Sequence, residues 1–277
     1  MIGALIGDCI GSVYERKNID KSLKHFKYFT KKSHFTDDTI LTIATAETLL
    51  NNKNISNKEF SDSIKKWGLK YPDIGYGKMF KNWLNNSISY SSFGNGGAMR
   101  ISPIPFFYNN LIKVESNTFL NVIETHNHFY GMKYALILAN SIYKLLYNSK
   151  EDLLIYINTL DITLPKYNDL LLNYKFSAEA KNTIPEAISC FIESNSFKDC
   201  INKSIKIGGD SDTLCSMTCA LAEAYYKSIP KDLIIKTLDL LDKEMIIIIK
   251  QFYNNFIKKN KININKEFKY INYIINY

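Results

Sequence analysis

The sequence predicts an all-α protein made of many helices. Apolar residues recur at helical spacing in one segment after another, whereas convincing pairs of alternating strands are missing. A hydrophobic fraction of 46% with 22% charged residues describes a chain that folds around a core. We expect one domain over residues 1–277, in which the Lys-, Asn- and Ile-rich stretch 258–277 is the candidate for a loosely packed tail.

The first predicted helix, Ile2–Glu15, carries a glycine at every fourth position, at residues 3, 7 and 11. Glycines at this spacing lower helix propensity but allow another backbone to approach closely. Asp8, Ser12 and Glu15 follow at spacings of four and three, so a continuous helix would place them on one polar stripe. A buried helix with an acidic stripe suggests a function.

Seven later segments have the same helical periodicity, and two glycine-rich interruptions separate some of them. The helical segments are Thr39–Leu50, Asn121–Tyr147, Asp152–Leu160, Tyr167–Phe176, Pro185–Glu193, Thr213–Tyr226 and Leu233–Ile257. The interruptions, Tyr71–Lys78 and Tyr90–Arg100, are the candidate functional loops.

Composition excludes several classes of protein. Five cysteines without a CxxC pair indicate a reducing, cytoplasmic setting. Asp8 interrupts the first apolar run, and the longest later run, Met245–Ile249, is too short to cross a bilayer, so we expect no membrane partner. The net charge of +8 favours anionic ligands, but the lysines are dispersed, so nucleic acid is not an expected partner.

Two acidic clusters stand at predicted helix starts. Thr36-Asp37-Asp38-Thr39 precedes one apolar helix, and Gly208-Gly209-Asp210-Ser211-Asp212-Thr213 precedes another. If the clusters meet, the aspartates repel one another unless cations neutralise them, and all-oxygen ligation selects magnesium or manganese. Asp210 and Asp212 can converge only if Asp210 lies outside the helix and Asp212 in its first turn. The alternative is two independent helix caps.

The loop around Gly94 offers small hydroxyls and backbone amides that suit a pyrophosphate, although it matches no nucleotide-binding fingerprint and a plain loop is the alternative. His126 and His128 lie near a predicted helix start, where capping or core roles are the alternative to a catalytic one. Neither histidine is paired with a recognisable Cys or Ser nucleophile.

Taken together, these motifs resemble the ADP-ribosylglycohydrolase family. The similarity is carried, in this order, by Gly7-Asp8-Cys9, Tyr14-Glu15, Thr36–Thr39, Gly75-Tyr76-Gly77, Ser92–Arg100, Thr125-His126 and Gly208–Thr213. Through Ser92–Arg100 the chain is most similar to the branch that removes ADP-ribose from serine and trims poly(ADP-ribose). Ser211, Ser91 and Phe93 replace a threonine, a glycine and a tyrosine of the family pattern.

The resemblance implies a compact, orthogonal multi-helix fold with two Mg²⁺ ions, or Mn²⁺ in their place. It implies a set of metal ligands: Glu15, Thr36, Asp37, Asp38, Asp210, Asp212 and Thr213. It also implies that the diphosphate and adjoining ribose are bound by Tyr90, Ser91, Ser92, Phe93, Gly94, Asn95, Gly96 and His126. Glu15 is the ligand that can also swing away to admit substrate.

The implied activity is hydrolysis of the bond between ADP-ribose and a protein side chain, with serine favoured over arginine and with Asp37 or Glu15 accepting the proton of water. Poly(ADP-ribose) and O-acetyl-ADP-ribose are further candidate substrates. The expected partner is an ADP-ribosylated protein or ADP-ribose, and the expected state is a monomer. The alternatives are a module that binds ADP-ribose without cleaving it, and a metal-dependent hydrolase of a free nucleotide or glycoside.

Overall fold

The computed structural model describes residues 1–23, 26–51, 55–264 and 266–277. Within these ranges the chain forms α-helices and two short 3₁₀ helices, at Asn95–Gly97 and Ala180–Asn182. Pairing of extended backbone in the described ranges is limited to isolated bridges between Ser91 and His126 and between Gly94 and Glu179. The prediction of an all-α protein is confirmed.

The α-helices differ in length. Their bounds are α1 (Ile2–Gly11), α2 (Asp37–Asn51), α3 (Asn57–Lys70), α4 (Lys78–Asn86), α5 (Pro103–Phe107), α6 (Leu111–Val122), α7 (Phe129–Tyr147), α8 (Lys150–Asn158), α9 (Tyr167–Asn173), α10 (Ile184–Ile192), α11 (Phe197–Ile207), α12 (Ser211–Tyr226), α13 (Lys231–Leu238), α14 (Lys243–Asn260) and α15 (Ile271–Ile275). Among them, α1, α7, α10 and α11 pack against α12.

Two segments predicted as single helices are each broken. Asn121–Tyr147 contains the end of α6 and a separate α7, whose first turn is capped by His128 as its Nδ1 accepts from the Tyr130 amide at 3.2 Å. Leu233–Ile257 is divided between α13 and α14. The apolar pattern continues through the second break because Leu241, in the connecting turn, is itself buried. Periodicity alone therefore did not reveal either break.

The three glycines of α1 place its backbone directly against that of α12. A Cβ on any of them would lie within 2.4 Å of a carbonyl oxygen of α12: Gly3 faces Cys219, Gly7 faces Cys215 and Gly11 faces Ser211. The close backbone approach predicted from the spacing is confirmed. Because the helices run antiparallel, the end of α1 lies beside the start of α12.

At the other end of this helix pair, the buried carboxylate of Glu223 joins several elements. It accepts hydrogen bonds from the Met1 ammonium, the Gly3 amide and the Tyr270 hydroxyl, each at 2.7 Å, and from the Tyr253 hydroxyl. A buried charge with this many donors is well compensated. The contacts tie α12 to α14 and to the segment before α15.

The cysteines are free and buried, and burial raises the pKa of each thiol: Cys9, Cys190, Cys200, Cys215 and Cys219. Thiols in this state are poor nucleophiles.

In the part of the chain that the structure describes, no helix combines the length and apolar character needed to cross a membrane.

Candidate active site

A cleft of about 470 Å³ opens where the end of α1, the starts of α2 and α12 and the 90–97 loop meet. The candidate loop Tyr71–Lys78 contributes its rim through Ile74, Gly75, Gly77 and Lys78. All candidate site residues except Ser91 and Phe93 line this cleft. Segments that are far apart in sequence are therefore neighbours here.

Asp8 organises the start of α2 from beneath the cleft. Its buried carboxylate accepts from the amide and hydroxyl of Thr36, at 2.9 and 2.7 Å, and from the amide and hydroxyl of Thr39, at 3.1 and 2.5 Å. The cap of this helix is thus supplied by a side chain of α1. This role of Asp8 was not predicted from the sequence, where the available signal is an acidic residue inside an apolar helix.

The predicted polar stripe on α1 is wrong. The helix ends at Gly11, the Ser12 hydroxyl donates to the Cys9 carbonyl at 3.0 Å, and turns over residues 12–16 carry Glu15 to the cleft. Asp8 faces the start of α2, whereas Glu15 lies beside Asp210 and Asp212 at the start of α12.

The start of α12 brings its two aspartates together in the arrangement predicted from the sequence. Gly208 and Gly209 have φ values of +80° and +84°, in the region that favours glycine, and Asp210 stands outside the helix with Asp212 in its first turn. Glu15, Asp210 and Asp212 each offer a carboxylate oxygen, all within 4.8 Å of one another. The Thr213 hydroxyl donates to Asp38 Oδ2 at 3.1 Å, so the two acidic clusters meet.

These carboxyl groups are electrostatically unfavourable together. Burial, then repulsion from Asp212, raises the pKa of Asp8 to about 6 and that of Asp37 to about 7. Burial is also the main cause that raises the pKa of Asp38, Asp210 and Asp212. The four donors to Asp8 offset this only in part.

The donor set fits a hard divalent cation. It consists of carboxylate and hydroxyl oxygens, and Asp38 Oδ1 is buried without a hydrogen-bond partner. The Thr36 hydroxyl gives its proton to Asp8 and accepts from the Asp38 amide at 3.3 Å, which leaves one lone pair of its oxygen for a ligand. Positive charge in the cleft would stabilise the ionised form of every carboxylate there.

The 90–97 loop forms one wall of the cleft. Its lining residues are Tyr90, Ser92, Gly94, Asn95 and Gly96. Ser91 points to solvent, and the exposed Phe93 faces a separate small hollow beside His128. Four amides of the loop already donate within the protein, those of Tyr90, Ser92, Gly94 and Asn95. The Asn95 side chain donates to Asp210 Oδ2 at 2.7 Å.

His126 lies behind this loop with little exposure. Glycines make room for its ring, since a Cβ on Gly97 would lie 3.0 Å from His126 Cγ and one on Gly96 would lie 3.2 Å from Nε2. Burial, and secondarily the charge of Arg100, holds the pKa of His126 well below its ordinary value. The imidazole is therefore neutral at physiological pH.

Two residues without a predicted role stand at the mouth of the cleft. Arg16 has a left-handed φ of +55°, and its amide donates to the Gly209 carbonyl at 3.2 Å. Its guanidinium lies 4.1 Å from the ring centroid of Phe176 and donates to Glu15 Oε1 at 3.1 Å. Phe176, predicted to be helical, follows the end of α9 at Asn173 and lines the cleft.

The chain is similar to several known proteins. The model of the ADP-ribosylglycohydrolase family matches residues 1–261. ADP-ribosylhydrolase ARH3 of Mus musculus is 26% identical over 304 residues, covering 82% of each chain, and the Homo sapiens ARH3 is 25% identical, covering 82% of this chain and 84% of that one. A solved structure titled ADP-ribosylglycohydrolase-related protein complex aligns with a TM-score of 0.71 at 22% identity, over 92% of this chain and 97% of that chain, and shows the shared fold.

Proposed function

Because this chain belongs to the ADP-ribosylglycohydrolase family and is an enzyme of that type, we propose that it releases ADP-ribose from modified protein side chains in a magnesium-dependent reaction. The observation that supports this most directly is the convergence of Glu15, Asp210 and Asp212 with the Thr213–Asp38 contact in one cleft. A module that only binds ADP-ribose has no need of so many unfavourably placed oxygen ligands.

The proposed holders of two Mg²⁺ ions, or of Mn²⁺, are Glu15, Thr36, Asp37, Asp38, Asp210, Asp212 and Thr213. When bound, such ions supply Lewis-acid charge that lowers the pKa of water and attracts ribose hydroxyls. The protein's own residues position the ligands and the substrate. Asp8 holds Thr36 in place, and the 90–97 loop with His126 holds the diphosphate and adjoining ribose.

Cleavage of a glycosidic bond passes through a transition state with positive charge on the sugar ring. The cleft carboxylates stabilise that charge. The bond from water oxygen to the anomeric carbon forms as the bond to the side-chain oxygen breaks. One proton of water passes to Asp37 or Glu15, and that carboxyl group then gives the proton to the leaving oxygen.

Serine is the favoured attachment residue over arginine, on the resemblance of Ser92–Arg100 to the serine-directed branch. Poly(ADP-ribose) and O-acetyl-ADP-ribose are proposed as further substrates, since both present an ADP-ribose unit linked through oxygen. The cleft volume of about 470 Å³ is in the range that small-molecule ligands occupy.

The test is incubation of the purified protein with serine- and arginine-ADP-ribosylated peptides, followed by mass spectrometry. We expect release of ADP-ribose from the serine peptide, loss of release with EDTA and recovery with Mg²⁺. Asp212→Asn and Asp37→Asn should each lower the rate about a hundredfold or more. Asp62→Asn, at an exposed carboxylate of α3, is the matched control and should be neutral.

The alternatives give different results in the same experiment. A binding module would retain ADP-ribose with an affinity independent of metal and yield no product. A hydrolase of free nucleotides or glycosides would turn over O-acetyl-ADP-ribose or a nucleotide but leave both peptides intact.

A further inference from the structure

Beneath the 90–97 loop lies a guanidinium that is fully buried. Arg100 donates from Nε to Asn121 Oδ1 at 2.8 Å and from Nη2 to the Asn121 carbonyl and the Thr125 hydroxyl, both at 2.9 Å. All three acceptors are neutral, and Nη1 is buried without a partner. A buried cation held only by neutral oxygens is rare in proteins, where buried charges are ordinarily paired.

The Thr125 hydroxyl connects this guanidinium to His126. In the described residues it has two hydrogen-bonding neighbours, Arg100 Nη2 and, at 2.8 Å, His126 Nδ1. Arginine can only donate, so the Thr125 oxygen accepts from it. If Nδ1 also carried a proton, that oxygen would accept twice and the threonine's own buried proton would have no acceptor. Buried donors without acceptors are strongly avoided.

The proton of Thr125 therefore goes to Nδ1, and the neutral ring carries its own proton on Nε2. That atom adjoins Gly96, a residue of the cleft wall. Since the amides of Tyr90, Ser92, Gly94 and Asn95 are already engaged, a side-chain donor at this wall would add to the few hydrogen bonds that the loop backbone can give an anion. The Nε2–H group is placed to provide it.

We propose that Arg100 and Thr125 are positioning residues that hold His126 in its Nε2–H tautomer, so that the ring presents one fixed donor to an oxygen of the ligand's diphosphate. This rests on the proposed function for the identity of the ligand, but not for the tautomer. The unpaired positive charge of Arg100 lies in the same wall and favours an anion there. Neither residue needs to touch the ligand.

The tautomer is measured by long-range ¹H–¹⁵N correlation NMR of the metal-free protein labelled at histidine. We expect protonated Nε2 and unprotonated Nδ1 in the wild type. Thr125→Val, which removes the hydroxyl at nearly constant volume, and Arg100→Met, which removes the donors, should each give a mixture of tautomers. Thr125→Ser should restore the wild-type pattern. A wild-type ring protonated on Nδ1 would overturn the proposal even if the variants failed to fold.

Ligand binding is the second readout, by calorimetry with ADP-ribose and with adenosine, which lacks the diphosphate. Thr125→Val should weaken ADP-ribose binding by about tenfold, in keeping with loss of one hydrogen bond to a charged group, and leave adenosine binding unchanged. The matched control is Thr118→Val, at a buried threonine of α6 whose hydroxyl has no partner. A role at the diphosphate would be contradicted if Thr125→Val weakened the binding of ADP-ribose and of adenosine equally. It would also be contradicted if Thr118→Val weakened ADP-ribose binding as much as Thr125→Val does.

The two proposals fail separately. If the wild type binds ADP-ribose with the expected tautomer but releases none from any modified peptide, the proposed function is wrong and the role of Arg100 and Thr125 stands. If peptides are hydrolysed and Thr125→Val retains both the tautomer and the affinity, the positioning role is wrong and the function stands.

Discussion

At the scale of residues, Asp8 and Asp37 illustrate how burial raises the pKa of neighbouring carboxyl groups. Both have a raised pKa, with burial as the main cause and Asp212 as the next. Asp8 keeps its position because the amides and hydroxyls of Thr36 and Thr39 surround it. The same carboxylate thus both caps α2 and adds negative charge beneath the cleft.

Removal of the Asp8 charge should therefore cost stability. In Asp8→Asn, the amide nitrogen would face the hydroxyl and amide donors of a threonine, so at least one buried donor loses its acceptor. With Mg²⁺ present we expect the free energy of unfolding to fall by about 1–3 kcal/mol. Urea denaturation measures this. Asp20→Asn, at an exposed carboxylate, is the control and should change it little; equal effects of the two variants would argue against the cap.

The raised pKa values also predict how pH affects metal binding. The folded, metal-free protein holds protons on Asp8 up to about pH 6 and on Asp37 up to about pH 7, whereas the unfolded chain releases them near pH 4. These groups therefore contribute stability below about pH 4 that is lost as the pH rises through 6–7. A divalent cation that replaces the protons should restore it.

Differential scanning fluorimetry across this pH range checks the prediction. The increase in Tm caused by Mg²⁺ should be small near pH 5 and should grow towards pH 8, because protons compete with the ion for the same oxygens. Sodium chloride of equal ionic strength is the control. An increase that is independent of pH would show that Mg²⁺ acts elsewhere.

At the scale of elements, the cleft depends on the contact between α1 and α12. Gly7→Ala would put a Cβ 2.2 Å from the Cys215 carbonyl oxygen, so the helices must separate. We expect the free energy of unfolding to fall by about 3 kcal/mol or more. This exceeds the usual effect of overpacking because the new Cβ meets backbone atoms, which cannot rotate away as a side chain can. Thermal denaturation should show it. Gly77→Ala, with nothing near its Cβ position, is the control and should retain the wild-type Tm.

The elements that sequence predicted well are those with a strong local signal. The glycine spacing in α1 and the aspartates before α2 and α12 were recognisable because each repeats a pattern with one physical meaning. The end of α1 at Gly11 was not recognisable, since the buried Val13 continues the apolar helical pattern beyond it. The structural neighbourhood of Arg100 was also hidden, because its partners Asn121 and Thr125 are more than twenty residues away and meet it only through tertiary packing.

At the scale of the whole molecule, the net charge of +8 surrounds a cleft whose own residues are acidic. An ADP-ribosylated peptide carries a diphosphate, so long-range attraction should speed its association. We expect kcat/KM to fall several-fold as salt rises from about 20 to 200 mM, with kcat nearly constant, because screening acts on association rather than on the bound complex. Initial rates at several salt concentrations test this. A matching fall in kcat would indicate that salt acts on the chemistry instead.

The main-chain contact between α1 and α12 has a consequence for how this protein can change through evolution. The separation of these helices is fixed by carbonyl oxygens and missing side chains, not by the shapes of particular apolar residues. Core side chains elsewhere can therefore be exchanged by mutation while Glu15 stays at the same distance from Asp212. In a saturation mutagenesis survey we accordingly expect few tolerated substitutions at the three glycines and many more at their apolar neighbours in the same helix.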